Sequence, residues 1–283
     1  MSTEHVLTLS CPDRPGIVHA VTGSVARAGG NITESRQFGD EESGRFLMRV
    51  QASGIDADSL RGSMDALSGE LALEYSLDEV GRPVRTLLMA SKESHCLSEL
   101  LFRTREGLLP IDVVGVVANH PDLAPLAGFY DVPFHHVPVT KETKAEAEER
   151  LLGLVDEHDV EMVVLARYMQ ILSPRLCELM PGKIINIHHS FLPSFKGARP
   201  YAQAAARGVK LIGATAHYVT ADLDEGPIIE QDVIRVNHDD SVAEMQVQGK
   251  DVERRVLARA VRWHAEHRVL LNGSKTVVFA STG

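Results

Sequence analysis

Positive charge is in short supply in this chain: 29 Lys and Arg face 39 Asp and Glu, a formal net charge of −10. That deficit argues against broad nucleic-acid binding, which needs a basic face. No apolar run approaches the roughly 20 residues that a membrane span requires. The opening MSTEHVLTLS has no basic stretch followed by an apolar segment, so no secretory signal is expected. Cysteine is scarce as well. Cys11, Cys96 and Cys177 lie far apart, without the paired spacing of zinc or redox sites. They are expected to be reduced and structural, which fits the cytoplasm. Repeats and low-complexity segments are missing too. What remains is ordinary: 44% hydrophobic and 24% charged residues make a soluble globular protein, and 283 residues make about two domains.

The pattern along the chain changes once. EHVLTLSC at 4–11 alternates as a strand, and GIVHAVTGSVARAG at 16–29 has helical spacing. NITESRQF and 44–52 read as strands joined through Gly39-Asp40-Glu41, 57–72 as a helix and 73–79 as a fourth strand. The order β-α-β-β-α-β is ferredoxin-like. Gly81-Arg82-Pro83 breaks it, dividing the chain into 1–82 and 83–283. Beyond the break, strands at 85–91, 111–119, 134–139, 160–168, 183–188 and 213–219 alternate with helical stretches. Alternation with Val-, Ile- and Leu-rich strands predicts an α/β fold with a mostly parallel sheet covered on both faces. A long helix and a short hairpin-like stretch end the chain. Ligands of such sheets bind at the carboxyl ends of the strands.

Ten residues, NIHHSFLPSF at 186–195, carry the most chemistry. Asn186 and His188 lie two apart where a strand ends, so both point to one face. An amide and an imidazole side by side can hold a carbonyl oxygen as it becomes an oxyanion. His189 then faces the other way and is a bystander. HYVTADLDEGPII at 217–229 adds His217 and Asp224, with Asp222 and Glu225 as competing acids. A solvated loop acid is the plain reading of Asp224, and a satisfied core histidine that of His217. His135 and His136 belong to a strand end near the cleft rim. The histidine spacings match no metal-ligand pattern, so no metal is expected.

With these motifs in order, residues 84–283 resemble the 10-formyltetrahydrofolate-dependent formyltransferase and hydrolase family. The resemblance implies a Rossmann-like catalytic domain with Asn186, His188 and Asp224 as catalytic trio, and His217 as neighbour and support of Asp224. It also implies a folate pocket along LARYMQILSP at 165–174, where Leu165, Gln170, Ile171 and Leu172 contact substrate, with Leu192, Pro193 and Phe195 shaping the same cleft. The plain alternative for 165–174 is a strand-to-helix junction started by Ser173-Pro174. CPDRPGIV at 11–18, followed by Gly29-Gly30-Asn31, resembles the ACT domain, a small-molecule-sensing module. This implies a regulatory ligand near Gly16, Gly29 and Asn31, an amino acid such as glycine or methionine as effector, and a homo-oligomer. Those glycines also serve simply to start and end a helix.

One more absence decides between branches of the family. A transferase acting on a phosphorylated glycinamide needs a Gly-rich anion cradle after the first strand of the catalytic domain. MASKESHCLSELL stands there, and no glycine occurs between Gly81 and Gly107. With the trio kept and the cradle lost, the resemblance implies a formyltetrahydrofolate deformylase. Such an enzyme converts 10-formyltetrahydrofolate and water to formate and tetrahydrofolate, supplying formate for purine synthesis without metal or redox cofactor. Its anionic substrate requires local cations, and Lys92, Arg103, Arg105, Lys196 and Arg199 are the candidates. The alternatives are a formyltransferase to an amine such as glycinamide ribonucleotide, and a non-catalytic folate or amino-acid sensor.

Overall fold

A computed structural model describes residues 3–194 and 200–280. They form two compact units, one running to Arg82 and resuming at Glu266, the other Pro83–Ala265. The first opens with β1 (Glu4–Pro12), α1 (Ile17–Arg27), β2 (Asn31–Asp40), β3 (Arg45–Ser53), α2 (Ala57–Leu71) and β4 (Glu74–Glu79). Its sheet is antiparallel in the order β2-β3-β1-β4, the ferredoxin-like arrangement the sequence predicts. Gly16 precedes α1 at φ 96°, a conformation that glycine adopts without Cβ strain. Asp56 caps α2, its carboxylate accepting from the Ser59 amide. Leu7 and Leu9 of β1, Val21 and Val25 of α1, and Leu60 and Met64 of α2 meet in one apolar core.

The second unit comprises β5 (Val84–Ala90), α3 (His95–Arg105), β6 (Ile111–Ala118), α4 (Ala124–Phe129), β7 (Phe134–His136), α5 (Lys144–Glu157), β8 (Met162–Leu165), α6 (Pro174–Leu179), β9 (Ile184–His188), α7 (Pro200–Arg207), β10 (Leu211–Tyr218), β11 (Ile228–Arg235) and α8 (Val242–Ala265). The sheet order is β11-β10-β9-β8-β5-β6-β7. From β9 through β7 all pairings are parallel. β6 and β7 extend from one edge of β5, β8 and β9 from the other, so the order reverses between β5 and β8. A crevice opens beyond the carboxyl ends at such a reversal. β8 stops at Leu165, short of the predicted 168, and Arg167 two residues on has φ 65°, which no strand accepts.

Two departures from the sequence reading matter. β11 is not among the expected strands, and β10 runs antiparallel to β9. The loop carrying Asp224 is therefore a hairpin connection that leaves β10 level with Ile184, where the Val219 amide bonds that residue's carbonyl. It does not follow a parallel strand. The second departure concerns the end of the chain. β12 (Val269–Asn272) and β13 (Lys275–Val278) form the predicted hairpin, but the segment belongs with the first unit, contrary to the 83–283 division. Arg49 of β3, 2% exposed, donates to the carbonyls of Glu266 and His267 at 3.2 Å and to Glu34. Arg268 reaches Glu34 and Asn272 reaches Asp40. Among the described residues, no helix is long and apolar enough to cross a membrane.

Candidate active site

β9 presents Asn186 and His188 on one face, as the two-residue strand period requires. The antiparallel register sets His217 of β10 directly opposite Asn186. His217 Nδ1 donates to the Tyr218 carbonyl at 2.8 Å, which leaves its Nε2 lone pair facing Asn186 Nδ2 at 3.2 Å. Burial lowers the pKa of His217, more than the Tyr218 carbonyl and Asp224 raise it, and this favours the neutral ring. One amide N–H of Asn186 is thus committed to His217. The other is free for a ligand.

Asp224 sits at φ 57°, in the left-handed region that aspartate tolerates better than most residues. Its Oδ1 lies 3.3 Å from His188 Nδ1 and 3.8 Å from His217 Nε2. His217 is thus the expected neighbour of Asp224 and also bonds Asn186, while His188 is the nearer partner of the carboxylate. The hydrogen bond from His188 lowers the pKa of Asp224 from 3.8, against burial, with help from the charges of His188 and His217. A depressed carboxyl contributes stability above its unfolded pKa and loses it as pH falls through the folded one, so this contribution disappears only below 3.8. His188→Ala should raise the Asp224 pKa, because burial then acts unopposed by that hydrogen bond. Carboxyl-carbon NMR titration checks this, and an unchanged pKa would contradict the pairing.

Gly226 brings the loop home. A Cβ there would stand 1.7 Å from the Tyr218 carbonyl oxygen and 3.4 Å from His217 Nδ1, so any side chain must push the loop away. Displacements of about 1 Å at a reacting centre cost around 10²-fold in rate. Gly226→Ala is expected to lose that much in kcat while the protein stays folded by circular dichroism.

His188 Nε2 is buried with no hydrogen-bond partner, and His188 lines a cleft. Leu165, Gln170, Ile171 and Leu172 line that cleft, as does the loop from Val219 to Asp224. Leu192 and Pro193 do not. Leu192 is buried, its amide bonded to Thr215 Oγ1 and its carbonyl to Gln231, so these residues build the turn behind β9. Phe195, Lys196 and Arg199 lie outside the described residues. His189 falls just past β9 and does not face away from its neighbour: its ring stands 5.2 Å from that of His188. Burial, aided by Arg167, pulls the His189 pKa down to about 4, so it is neutral near pH 7. His135 and His136 are not in the cleft wall, and His135 packs under Gly115.

Of the cations proposed from sequence, the three described ones are not in the cleft wall. Lys92 is exposed, Arg103 pairs with Glu99, and Arg105 stacks on Phe129 and Tyr130. Among the described residues, the cationic side chain in the cleft wall is Arg167, which the sequence motifs do not single out. They also pass over Glu253 of α8, 1% exposed, bonded to His95 Nε2 at 2.9 Å and Tyr201 Oη at 2.8 Å, with Arg167 Nε at 3.4 Å. Its signal is nonetheless there: an acid on the buried stripe of α8, four residues from Gly249 and from Leu257. His95, Cys96 and Glu253 offer ligand atoms within 4.8 Å of one another, but His95 Nε2 and Glu253 bond each other and burial pushes the Cys96 thiol far up. That donor set is one of a closed hydrogen-bonded pair beside a protonated thiol.

An amide, an imidazole with a free nitrogen and an ionised carboxylate converge on one cleft, the equipment for attack of a nucleophile on a carbonyl. The formyl transferase family profile matches residues 84–261, and the ACT domain profile residues 5–67. A formyltetrahydrofolate deformylase of Corynebacterium sp. (strain P-1) is 51% identical over 278 residues, 97% of each chain. This chain belongs to the formyltetrahydrofolate deformylase family. The crystal structure of a family member from Pseudomonas syringae pv. tomato superposes with a TM-score of 0.95 at 47% identity, covering 99% of this chain and 95% of that one. A glycinamide ribonucleotide transformylase from Symbiobacterium toebii matches at TM-score 0.67 and 29% identity, over 71% of this chain and 97% of its own. The deformylase family, with its ACT unit, thus spans nearly the whole chain.

Proposed function

We propose that this site hydrolyses 10-formyltetrahydrofolate to formate and tetrahydrofolate. The observation that carries the reading is that Asn186, His188 with its unpartnered Nε2, and an ionised Asp224 paired with His188 Nδ1 line one cleft. The formyl oxygen takes hydrogen bonds from Asn186 Nδ2 and from the imidazolium Nε2–H of His188. Asp224 orients water and accepts its proton as the oxygen bonds the formyl carbon. The tetrahedral oxyanion collapses, the bond to N10 breaks, and N10 leaves as a neutral amine with the proton Asp224 had taken. The steps use proton transfer and oxyanion binding alone, so no metal or redox cofactor is invoked. The pterin lies along Leu165 and 170–172. Formate so released feeds purine synthesis and the folate pool is replenished. Three free, buried cysteines support a cytoplasmic setting. Pure protein incubated with 10-formyltetrahydrofolate alone should release formate and tetrahydrofolate in equal amounts; consumption only after adding glycinamide ribonucleotide would favour the transferase.

For the first unit we propose an amino-acid effector, with glycine and methionine as the metabolically sensible choices, and a homo-oligomer. Gly16 and Gly29 flank the 11-residue α1 and stand 13 positions apart, roughly 20 Å at the helical rise. One amino acid cannot touch both on one chain, so a site using Gly16, Gly29 and Asn31 draws them from two copies. A ligand that binds two conformations unequally is expected to shift activity by about 5- to 150-fold. Screening all twenty amino acids against full-length enzyme tests this. If none changes rate or melting temperature, the unit serves assembly.

A further inference from the structure

Among the described residues a single arginine, and no lysine, lines the reaction cleft, and the proposed steps leave it without a task. Arg167 is the member of the knot around Glu253 that reaches the cleft wall; Glu253, His95 and Tyr201 are not part of that wall. Its φ is 65°, in the left-handed region that glycine adopts freely and other side chains only with strain. Strain of this kind gathers at functional sites, where a side chain is needed in that place. The side chain is only 14% exposed, and a charge so shielded from water calls for partners. Arg167 has few. Its Nε stands 3.4 Å from the Glu253 carboxylate without making a hydrogen bond, while His95 and Tyr201 bond that carboxylate at 2.9 and 2.8 Å. Among the described residues Arg167 donates no hydrogen bond. Its terminal nitrogens keep the planar fork that grips a carboxylate by two parallel bonds.

The place of Arg167 suits a carboxylate made in the cleft. Leu165 and Asn186 are partners in the parallel β8–β9 register, and Arg167 follows Leu165 by the two residues that separate His188 from Asn186. Burial and then the Arg167 charge lower the pKa of His189, whose ring lies 5.2 Å from that of His188. We propose that Arg167 binds the product: its guanidinium receives formate when the bond to N10 breaks and holds it until release. This rests on the hydrolase reading above and extends it to the product. The tetrahedral species collapses to formic acid as N10 takes its proton from Asp224. The acid's own proton then passes to Asp224 and on to solvent. Formate is left with a full negative charge in the same cleft as that carboxylate, and Arg167 supplies the opposite charge. The carboxylates of the folate tail lie beyond the aminobenzoyl ring from N10. A largely buried cation fits the small anion made at the centre better than it fits the tail.

The test is the binding of sodium ¹³C-formate to full-length enzyme, read from NMR line widths with chloride holding the ionic strength constant. Wild type should bind formate with roughly millimolar affinity, the ceiling for so small a ligand. It should bind ¹³C-formamide, the neutral analogue, about 10-fold more weakly or worse, because the charged acceptor is lost. Arg167→Gly relieves the backbone strain and should weaken formate binding by about 10-fold or more, while tetrahydrofolate binding stays nearly unchanged. If Arg167→Gly does not fold, Arg167→Lys keeps a charge toward Glu253 and loses the fork, and it should weaken formate binding about 3-fold or more. A folded variant that binds formate as wild type does overturns the assignment, and so does a wild type that binds formate no better than formamide. Lost tetrahydrofolate affinity with formate binding intact also overturns it, and makes Arg167 the cation of the folate tail. A wild type that binds formate but releases none from 10-formyltetrahydrofolate overturns the hydrolase reading instead.

Discussion

Replacing His188 with alanine should lower the rate of formate release by at least about 10²-fold with folding nearly unchanged. The substitution removes the free Nε2 donor and the partner of Asp224 together. Asn186→Ala and Asp224→Asn should each cost a similar factor, the first by removing an oxyanion donor and the second by removing the proton acceptor. His217→Ala is expected to act at one remove. It frees the Asn186 amide to rotate, so kcat should fall while KM stays close to wild type. His189→Ala should cost less than about 10-fold, since its neutral ring donates nothing the proposed steps need. Near-wild-type turnover in any of the three principal variants would remove that residue from the mechanism.

The second large effect is on stability. Arg49→Ala should cost roughly 3–5 kcal/mol in urea unfolding, because a buried charge is removed and its partners stay behind. Glu34 keeps Arg268, but the carbonyls of Glu266 and His267 lose their buried donor. Hydrogen exchange should accelerate in the β12–β13 hairpin as well. A loss below about 1 kcal/mol would mean that the hairpin is held by its apolar contacts and surface pairs. The same geometry bears on how the units can be separated. Cutting at residue 82 would strip the terminal segment of its partner sheet, so a clean catalytic unit ends near Ala265.

Much of the fold is legible in the sequence because it depends on local periodicity. Alternation marks β1 through β4, and the i, i+2 spacing of Asn186 and His188 is enough to put them on a shared face. Helical spacing marks α1, α2 and α8. Long-range facts are not legible. The Glu253 knot joins α3, α7 and α8 with the end of β8, and its His95 contact spans 158 positions, which no window of residues can report. Proximity along the chain pairs Asp224 with His217, and the hairpin brings the carboxylate closer still to His188. β11 escapes notice because the Gly226-Pro227 turn signal overshadows the strand it begins. Chain order assigns the terminal hairpin to the catalytic domain, although buried Arg49 chooses its partners in space. Leu192 and Pro193 adjoin the catalytic motif in sequence, while hydrogen bonds to Thr215 and Gln231 turn them away from the cleft.

Water as the acceptor is the central claim, and its most direct measurement is isotopic. The enzyme is incubated with 10-formyltetrahydrofolate in ¹⁸O-enriched water, with no amine present, and the formate is analysed by mass spectrometry. One oxygen of each formate should carry the label, the other coming from the formyl group, with tetrahydrofolate appearing in step. Formate that appears only when an amine acceptor is supplied, or a folate pool that stays formylated without one, would contradict the account.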